Sequence, residues 1–265
     1  MLQPVLSGSD LLQDIDQTLS VTPTLWWLGH AGFVVRFANI TFYVDPCLTT
    51  PDGRERRIAA PLDPGTIRHA DMIFTTHGHD GHLDPATVGP MLENCRVAKV
   101  VLPKSAADDA NARGIPYNRM TTTDAGLRIE YFKDNLYGRV YAVPSAHPTL
   151  DWSGPTGNPY LGYLIRFGRW TVYHAGDCRP YPELVSRLRP YNVNVAILPI
   201  GGNNFSIKEA AQLATDIDAK WIIPMHYGTF CEDRESDFVA HMLGHRPDLR
   251  FRTLQVGQKW TVPEE

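Results

Sequence analysis

The apolar positions of the chain change period several times, and each change marks an element. Over 10–19 (DLLQDIDQTL) they recur at helical spacing, with Asp10 placed to cap the first turn. From residue 24 the pattern is that of extended chain: 24–37 (TLWWLGHAGFVVRF) and 40–46 (ITFYVDP) read as two strands joined at Ala38-Asn39. Residues 51–70, rich in Pro, Gly and Arg, read as a surface loop, and 71–76 (DMIFTT) as a short buried strand ending at a His-rich turn. A strand at 97–103 then leads into a helix at 104–114 that Gly114 stops. Strands follow at 127–132 and 138–146, then a Pro/Gly/Trp-rich loop at 148–160, then a hairpin of 160–167 and 169–177 across Gly168. Helix 182–190, strand 193–200, helix 206–217, strand 219–225 and helix 236–243 continue the series, and the short runs FRTLQV and KWTVP close the chain. Ser206 with Glu209 three residues on is a capping-box pattern for the helix at 206–217.

Strands come first, then strands mixed with helices, and this order occurs twice with no disordered linker between the halves. The pattern predicts two β-sheets packed face to face with helices on their outer faces, as one α/β domain over 1–265.

Composition narrows the function. The chain is 43% hydrophobic and 20% charged, enough to bury a substantial core. A net charge of −4 leaves no basic footprint for nucleic acid or an anionic membrane. The first twenty residues contain no Lys or Arg and lack the basic start of a signal peptide. No apolar run is long enough to cross a bilayer. Cys47, Cys95, Cys178 and Cys231 lie far apart without a CxxC pair, which reads as reduced thiols in a cytoplasmic protein.

Candidate chemistry concentrates at strand ends. His77, His79 and His82 fall within six residues at the mouth of a strand, and imidazole is a common ligand for zinc and its neighbours. His77 and His79 stand two apart, so an extended turn can point both to one side. His147, Asp177 and His226 each follow a separate predicted strand. Loops converging on one rim would give a metal site fixed geometry.

This array, His77-x-His79-x-x-His82 followed by His147, Asp177 and His226, resembles the metallo-β-lactamase superfamily. The segments LWWLGHAGF (25–33), LPIGGNNFSIKEAA (198–211), IPMHYGTF (223–230) and VGQKWTVP (256–263) are similar to the branch holding L-ascorbate-6-phosphate lactonase. N-acylphosphatidylethanolamine phospholipase D is a more distant member with a similar HYGTF-like segment. The resemblance spans about residues 24 to 263 and implies a four-layer αββα sandwich. It also implies that His77, His79 and His147 hold one divalent metal and that His82 and His226 hold a second. Asp177 then bridges the two as the catalytic carboxylate. Asp45 resembles a buried carboxylate supporting the His loop, although a strand-ending turn residue is an equal reading. One place departs from the HxHxDH pattern. The Asp that ligates the second metal is replaced by Gly81, and Asp80 stands one residue early. A one-residue shift re-aims a side chain. Asp80 therefore either reaches the metal through a rearranged turn or is a solvated loop residue, and the second site is expected to be weak or absent.

His30 and His174 lie near the same rim and read as packed or hydrogen-bonded residues, while His69, His241 and His245 read as surface residues. Metal-activated water is the expected nucleophile, since Ser145 lies in PSAH rather than in a GxSxG elbow. Arg54, Arg56 and Arg57 either hold an anion or form a solvated basic loop. Lys104, Asn203, Asn204, Tyr227 and Thr229 are candidate rim residues, and Trp152 and Tyr160 either wall the pocket or pack in the core. The leading expectation is a metal-dependent hydrolase acting on a small anionic ester or lactone, with one or two Zn or Mn ions as cofactor. The alternatives are a phosphodiesterase or phospholipase D-like hydrolase, which no amphipathic basic helix favours, and a degenerate metal-binding protein without turnover. A small-molecule substrate is the expected partner, with no nucleic acid and no membrane; a homo-oligomer stays open.

Overall fold

The computed structural model describes residues 1–264. In chain order the first half contains α1 (Gly8–Gln17), β1 (Thr24–Gly29), β2 (Gly32–Phe37), β3 (Ile40–Val44), β4 (Met72–Phe74), α2 (Pro85–Asn94), β5 (Lys99–Pro103), α3 (Ala107–Ala112) and β6 (Met120–Thr123). The second contains β7 (Arg128–Lys133), β8 (Leu136–Pro144), β9 (Leu161–Phe167), β10 (Trp170–His174), α4 (Leu184–Leu188), β11 (Val195–Pro199), α5 (Ile207–Asp216), β12 (Trp221–Met225), α6 (Glu235–His245) and β13 (Lys259–Thr261). The first sheet has the order β13-β1-β2-β3-β4-β5-β6 and the second β12-β11-β10-β9-β8-β7. In the first, β13 to β3 pair antiparallel and β3 to β6 parallel. In the second, β7 to β10 form an antiparallel meander and β10 to β12 run parallel.

Successive side chains of a strand point to opposite faces, and the central strands are apolar on both. Leu25, Trp27, Phe33, Val35, Phe42 and Val44 face the second sheet. Their neighbours Trp26, Leu28, Val34 and Tyr43 face the outer helices, meeting Leu11 and Ile15 of α1 and Val88 and Met91 of α2. Between the sheets, aromatic rings interlock: Phe42 with Phe167 (5.5 Å between centroids) and Phe74 with Tyr163 (5.3 Å). Helices α4, α5 and α6 contribute Leu184, Ala210 and Phe238 to the core of the second sheet. The layers are therefore αββα, as the pattern predicts.

Several local expectations need correction. Helix α1 begins at Gly8 after Ser7, so Asp10 lies inside its first turn and does not cap it. The 104–114 segment is a 3-10 turn followed by the short α3, and the 182–190 segment is α4 followed by another 3-10 turn. FRTLQV contributes only a bridge from Phe251 to Ile222. Two elements carry no apolar period. In α2, Pro85 at the first position, Gly89 and Pro90 mask the helix; Asp84 caps it by accepting from the Ala86 amide (3.1 Å). Strand β6 is MTTT, polar at its exposed positions. The 51–70 segment is not simply a surface loop, because Arg56, Leu62, Ile67 and Ala70 are buried.

Candidate metal centre

Topology brings distant residues to one rim. β4, β10 and β12 lie in the parallel portions of their sheets, where ligands commonly bind beyond the strands' carboxyl ends. His77 follows β4, Asp177 follows β10 and His226 follows β12. β8 runs the same way as β10, two antiparallel steps apart, so His147 emerges at the same edge. β1 and β3 also share a direction, which puts the β1–β2 turn with His30, and Asp45 after β3, on this rim. The rim encloses a cleft of about 640 Å³ with His79, His82, His147, Asp177 and His226 in its wall.

Asp177 sits at the centre with its two oxygens facing different imidazoles. Oδ1 lies 3.1 Å from His226 Nε2 and 3.3 Å from His82 Nε2. Oδ2 lies 3.5 Å from His147 Nε2 and 4.0 Å from His77 Nε2. His79 Nδ1 stands 3.0 Å from His77 Nε2. Donors bound about 2.0–2.1 Å from one tetrahedral ion stand about 3.3 Å apart, so these spacings fit a divalent metal on either side of the carboxylate. The nitrogens of His77, His79 and His147 form one cluster within 4.8 Å, and those of His30, His82 and His226 a second.

A further layer of contacts fixes these groups. Asp45 is fully buried; Oδ1 accepts from the Thr76 amide (2.7 Å), and Oδ2 accepts from Thr76 Oγ1 (2.7 Å) and His82 Nδ1 (2.7 Å). That last bond places the His82 proton on Nδ1 and turns Nε2 toward Asp177, as is common behind metal-binding histidines. Asn204 donates to Asp177 Oδ1 (3.3 Å) and accepts from the Cys178 amide (2.9 Å). Gly176, at φ +62°, leaves no room for a side chain, since a Cβ would stand 2.7 Å from the Leu161 carbonyl oxygen. His30 (φ 54°), Asp45 (44°) and His226 (65°) all hold left-handed backbone without being glycine. Such strain clusters at functional sites.

Burial pushes His77, His79 and His147 down, toward the neutral form that ligates metal. Burial acts the same way on His82 and His226, but Asp177 outweighs it. His82, which also faces Asp45, is raised to about 10 and His226 to about 9. Asp177, despite its burial, is held well below the usual carboxylate range by His82 and His226.

Other candidates fall elsewhere. Asp80 pairs with Arg113, which also bonds Asp109 and the Leu83 carbonyl. Arg56 is neither an anion site nor solvated: it is buried and donates to the Cys47 and Leu28 carbonyls. Arg57 is exposed and donates to the Cys231 carbonyl (3.2 Å), while Arg54 lines the cleft. Asn203 also lines the cleft, whereas Lys104 is exposed outside it. Tyr227 is buried against Trp27, and Thr229 Oγ1 is buried and accepts from the His30 amide (2.8 Å). Tyr160 packs against His77, His79 and His147, whereas Trp152 is 69% exposed. His174 is packed and hydrogen-bonded as expected: Nε2 donates to the Ala31 carbonyl (2.8 Å) and Nδ1 accepts from the Gly176 amide (3.2 Å). His69 is not a surface residue but half-buried, held by Tyr43 (2.6 Å) and Asp16 (3.0 Å). His30, expected to be packed or hydrogen-bonded, is buried beside His226 with ring centroids 4.0 Å apart.

The fold and this histidine–aspartate centre define a metal-dependent hydrolase of the β-lactamase class. Residues 24–226 match the family model described as the β-lactamase superfamily domain. A UPF0173 metal-dependent hydrolase of Myxococcus xanthus is 33% identical over 80% of this chain and 73% of its own length. One from Caldivirga maquilingensis is 30% identical over 90% of this chain and 98% of its own. Among solved structures, Igni18, a metallo hydrolase from Ignicoccus hospitalis, shares the fold with a TM-score of 0.67 at 22% identity, over 92% of this chain and all of its own. The chain belongs to the UPF0173 metal-dependent hydrolases. Among the described residues no helix is long and apolar enough to cross a membrane.

Proposed function

We propose that the protein hydrolyses a small anionic ester or lactone at a centre for two divalent metals. His77, His79 and His147 hold the first metal, His82 and His226 contribute to the second, and Asp177 bridges them. The observation that carries this reading is Asp177, whose two oxygens each address a different pair of imidazoles. Zinc or manganese suits such a set, with the excess of imidazole favouring zinc.

Bound there, the metal supplies Lewis acidity and makes water a nucleophile at neutral pH. The chain's own residues prepare the geometry. Asp177 is fixed by Asn204, and His82 by Asp45. Tyr160 packs its ring against His77, His79 and His147 on one side of the centre. Arg54 adds positive charge to the cleft wall, which supports an anionic substrate, and Arg113 pairs there with Asp80 and Asp109. Residues 1–264 act as one domain on this reading, because one apolar cluster is shared between the two sheets. Four free cysteines support a reducing, cytoplasmic setting.

The test pairs a substrate panel with one substitution. Lactones and carboxylic esters carrying a phosphate or carboxylate should be turned over, and phosphodiesters should not. Asp177→Asn keeps the shape of the bridge and loses its charge, so activity should fall more than tenfold, a barrier change above about 1.4 kcal/mol. Retention of activity in that variant removes the bridge. Preferred cleavage of phosphodiesters reassigns the substrate, and full metal occupancy with no turnover across the panel makes the protein a binding protein.

A further inference from the structure

His30 belongs to no element of the chemistry described so far, yet its surroundings are those of a ligand. It lies in the β1–β2 turn with backbone φ 54°, in the left-handed region that few residues with side chains adopt. Its carbonyl accepts from the His226 amide (2.9 Å) and from Trp27 Nε1 (3.1 Å), and its amide donates to Thr229 Oγ1 (2.8 Å). The turn is thereby locked to the segment that carries His226. His30 is 3% exposed, and its Nδ1, like those of the ligands His147 and His226, is enclosed without a hydrogen-bond partner. A buried imidazole nitrogen left without a partner is unfavourable by about 1–3 kcal/mol. The contrast with His174 is direct, since both of that ring's nitrogens are satisfied by backbone.

The space around the ring completes the case. One nitrogen each from His30, His82 and His226 lie within 4.8 Å of one another. Asp177 Oδ1 faces two of the three, His82 and His226. Residue 81 borders the same volume: a Cβ built on Gly81 would stand 2.7 Å from His30 Nε2. The ring and a side chain at position 81 therefore compete for the same space, so one must move if both are present. Asp80 cannot substitute, being drawn away by Arg113.

We infer that His30 is a ligand of the second metal, completing with His82, His226 and Asp177 a four-donor set in the room that Gly81 leaves. This rests on the two-metal reading above. It makes the second site a three-imidazole, one-carboxylate site, of the composition that suits zinc. The second metal is then tightly held rather than weak, contrary to what the missing carboxylate at position 81 suggests.

The experiment compares the zinc-loaded wild-type protein with His30→Asn and with the double variant His30→Asn/Gly81→Asp. Asn is at ease with positive φ, so the first change removes the ring and leaves the turn. Metal content by elemental analysis after dialysis against a mild chelator should be two per chain for wild type and one for His30→Asn. Affinity for the second zinc should fall at least tenfold. Gly81→Asp in the His30→Asn background should return the second ion, because the carboxylate enters the vacated space. In zinc-loaded wild-type crystals, anomalous density should lie about 2.0–2.1 Å from a His30 ring nitrogen, a readout that needs no variant. Two ions held equally tightly by His30→Asn, or two ions in the wild-type crystal with neither at His30, would overturn the inference while leaving the two-metal centre standing. A wild-type protein that takes up no zinc would instead overturn the centre itself, and His30 with it.

Discussion

At the scale of single residues, the centre is governed by groups that would not touch a substrate. Asp45 receives three donors, the Thr76 amide, the Thr76 hydroxyl and His82 Nδ1, and has no donor of its own to offer. Asp45→Asn retains the left-handed backbone, for which Asn is well suited, but replaces one acceptor with an NH₂ group. Whichever way the amide turns, it meets another donor. His82 then loses its fixed tautomer or Thr76 its anchor. Zinc affinity measured by competition with a chromogenic chelator should drop about 10- to 100-fold. Unchanged affinity would mean that Asp45 supports the turn and not the histidine.

At the scale of elements, the capping box at the start of α5 is read from sequence and present in the structure. Ser206 Oγ accepts from the Glu209 amide (3.2 Å), and Glu209 Oε2 accepts from the Ser206 amide (2.8 Å). The box begins two residues after Asn204, which holds Asp177. Ser206→Ala should destabilise the fold by about 1 kcal/mol, lowering the thermal midpoint by about 2–4 °C, with zinc stoichiometry unchanged. Loss of zinc from that variant would show that the helix start and the centre are mechanically linked. Helix α2 illustrates the opposite situation. Its Pro85, Gly89 and Pro90 look like breakers in the sequence, but Pro85 occupies the first position, where its missing N–H is harmless.

At the scale of the whole molecule, protons and metal compete for the same imidazoles. His82 and His226 are raised to about 10 and about 9, so both are protonated at pH 7 in the field of Asp177. Ligation requires their neutral form. Zinc loading at pH 7 should therefore release protons, and the apparent affinity should weaken as pH is lowered through about 10 and then about 9. His77, His79 and His147 are pushed down by burial and contribute no such release. Calorimetric titration in two buffers of different ionisation enthalpy checks this: the heats should differ by at least one proton per chain. Identical heats in both buffers would show that His82 and His226 are already neutral.

Apart from α2 and β6, the order of elements was legible in the chain, as were the two-sheet architecture and the cluster of His77, His79, His82, His147, Asp177 and His226 at strand ends, because strand period and residue chemistry are local properties. What tertiary structure decided is how those ends meet. Asp80 and Asp45 are both acidic residues of loops at strand ends. Arg113 at the C-terminal end of α3 claims one, and the Thr76 turn with His82 claims the other. Arg54 and Arg56 are near neighbours in sequence, yet one lines the cleft and the other is a buried strut under the β1–β2 turn. His30 lies in the LWWLGHAGF segment, but nothing there marks it as a ligand, and its amide meets Thr229, 199 positions away, only because the β1–β2 turn of one sheet and the segment after β12 of the other reach the same rim. Period and composition specify which face a residue presents. Which residues share a volume depends on sheet order and on the competition of side chains for the same space, as between His30 and residue 81, and that is settled only when the chain is folded.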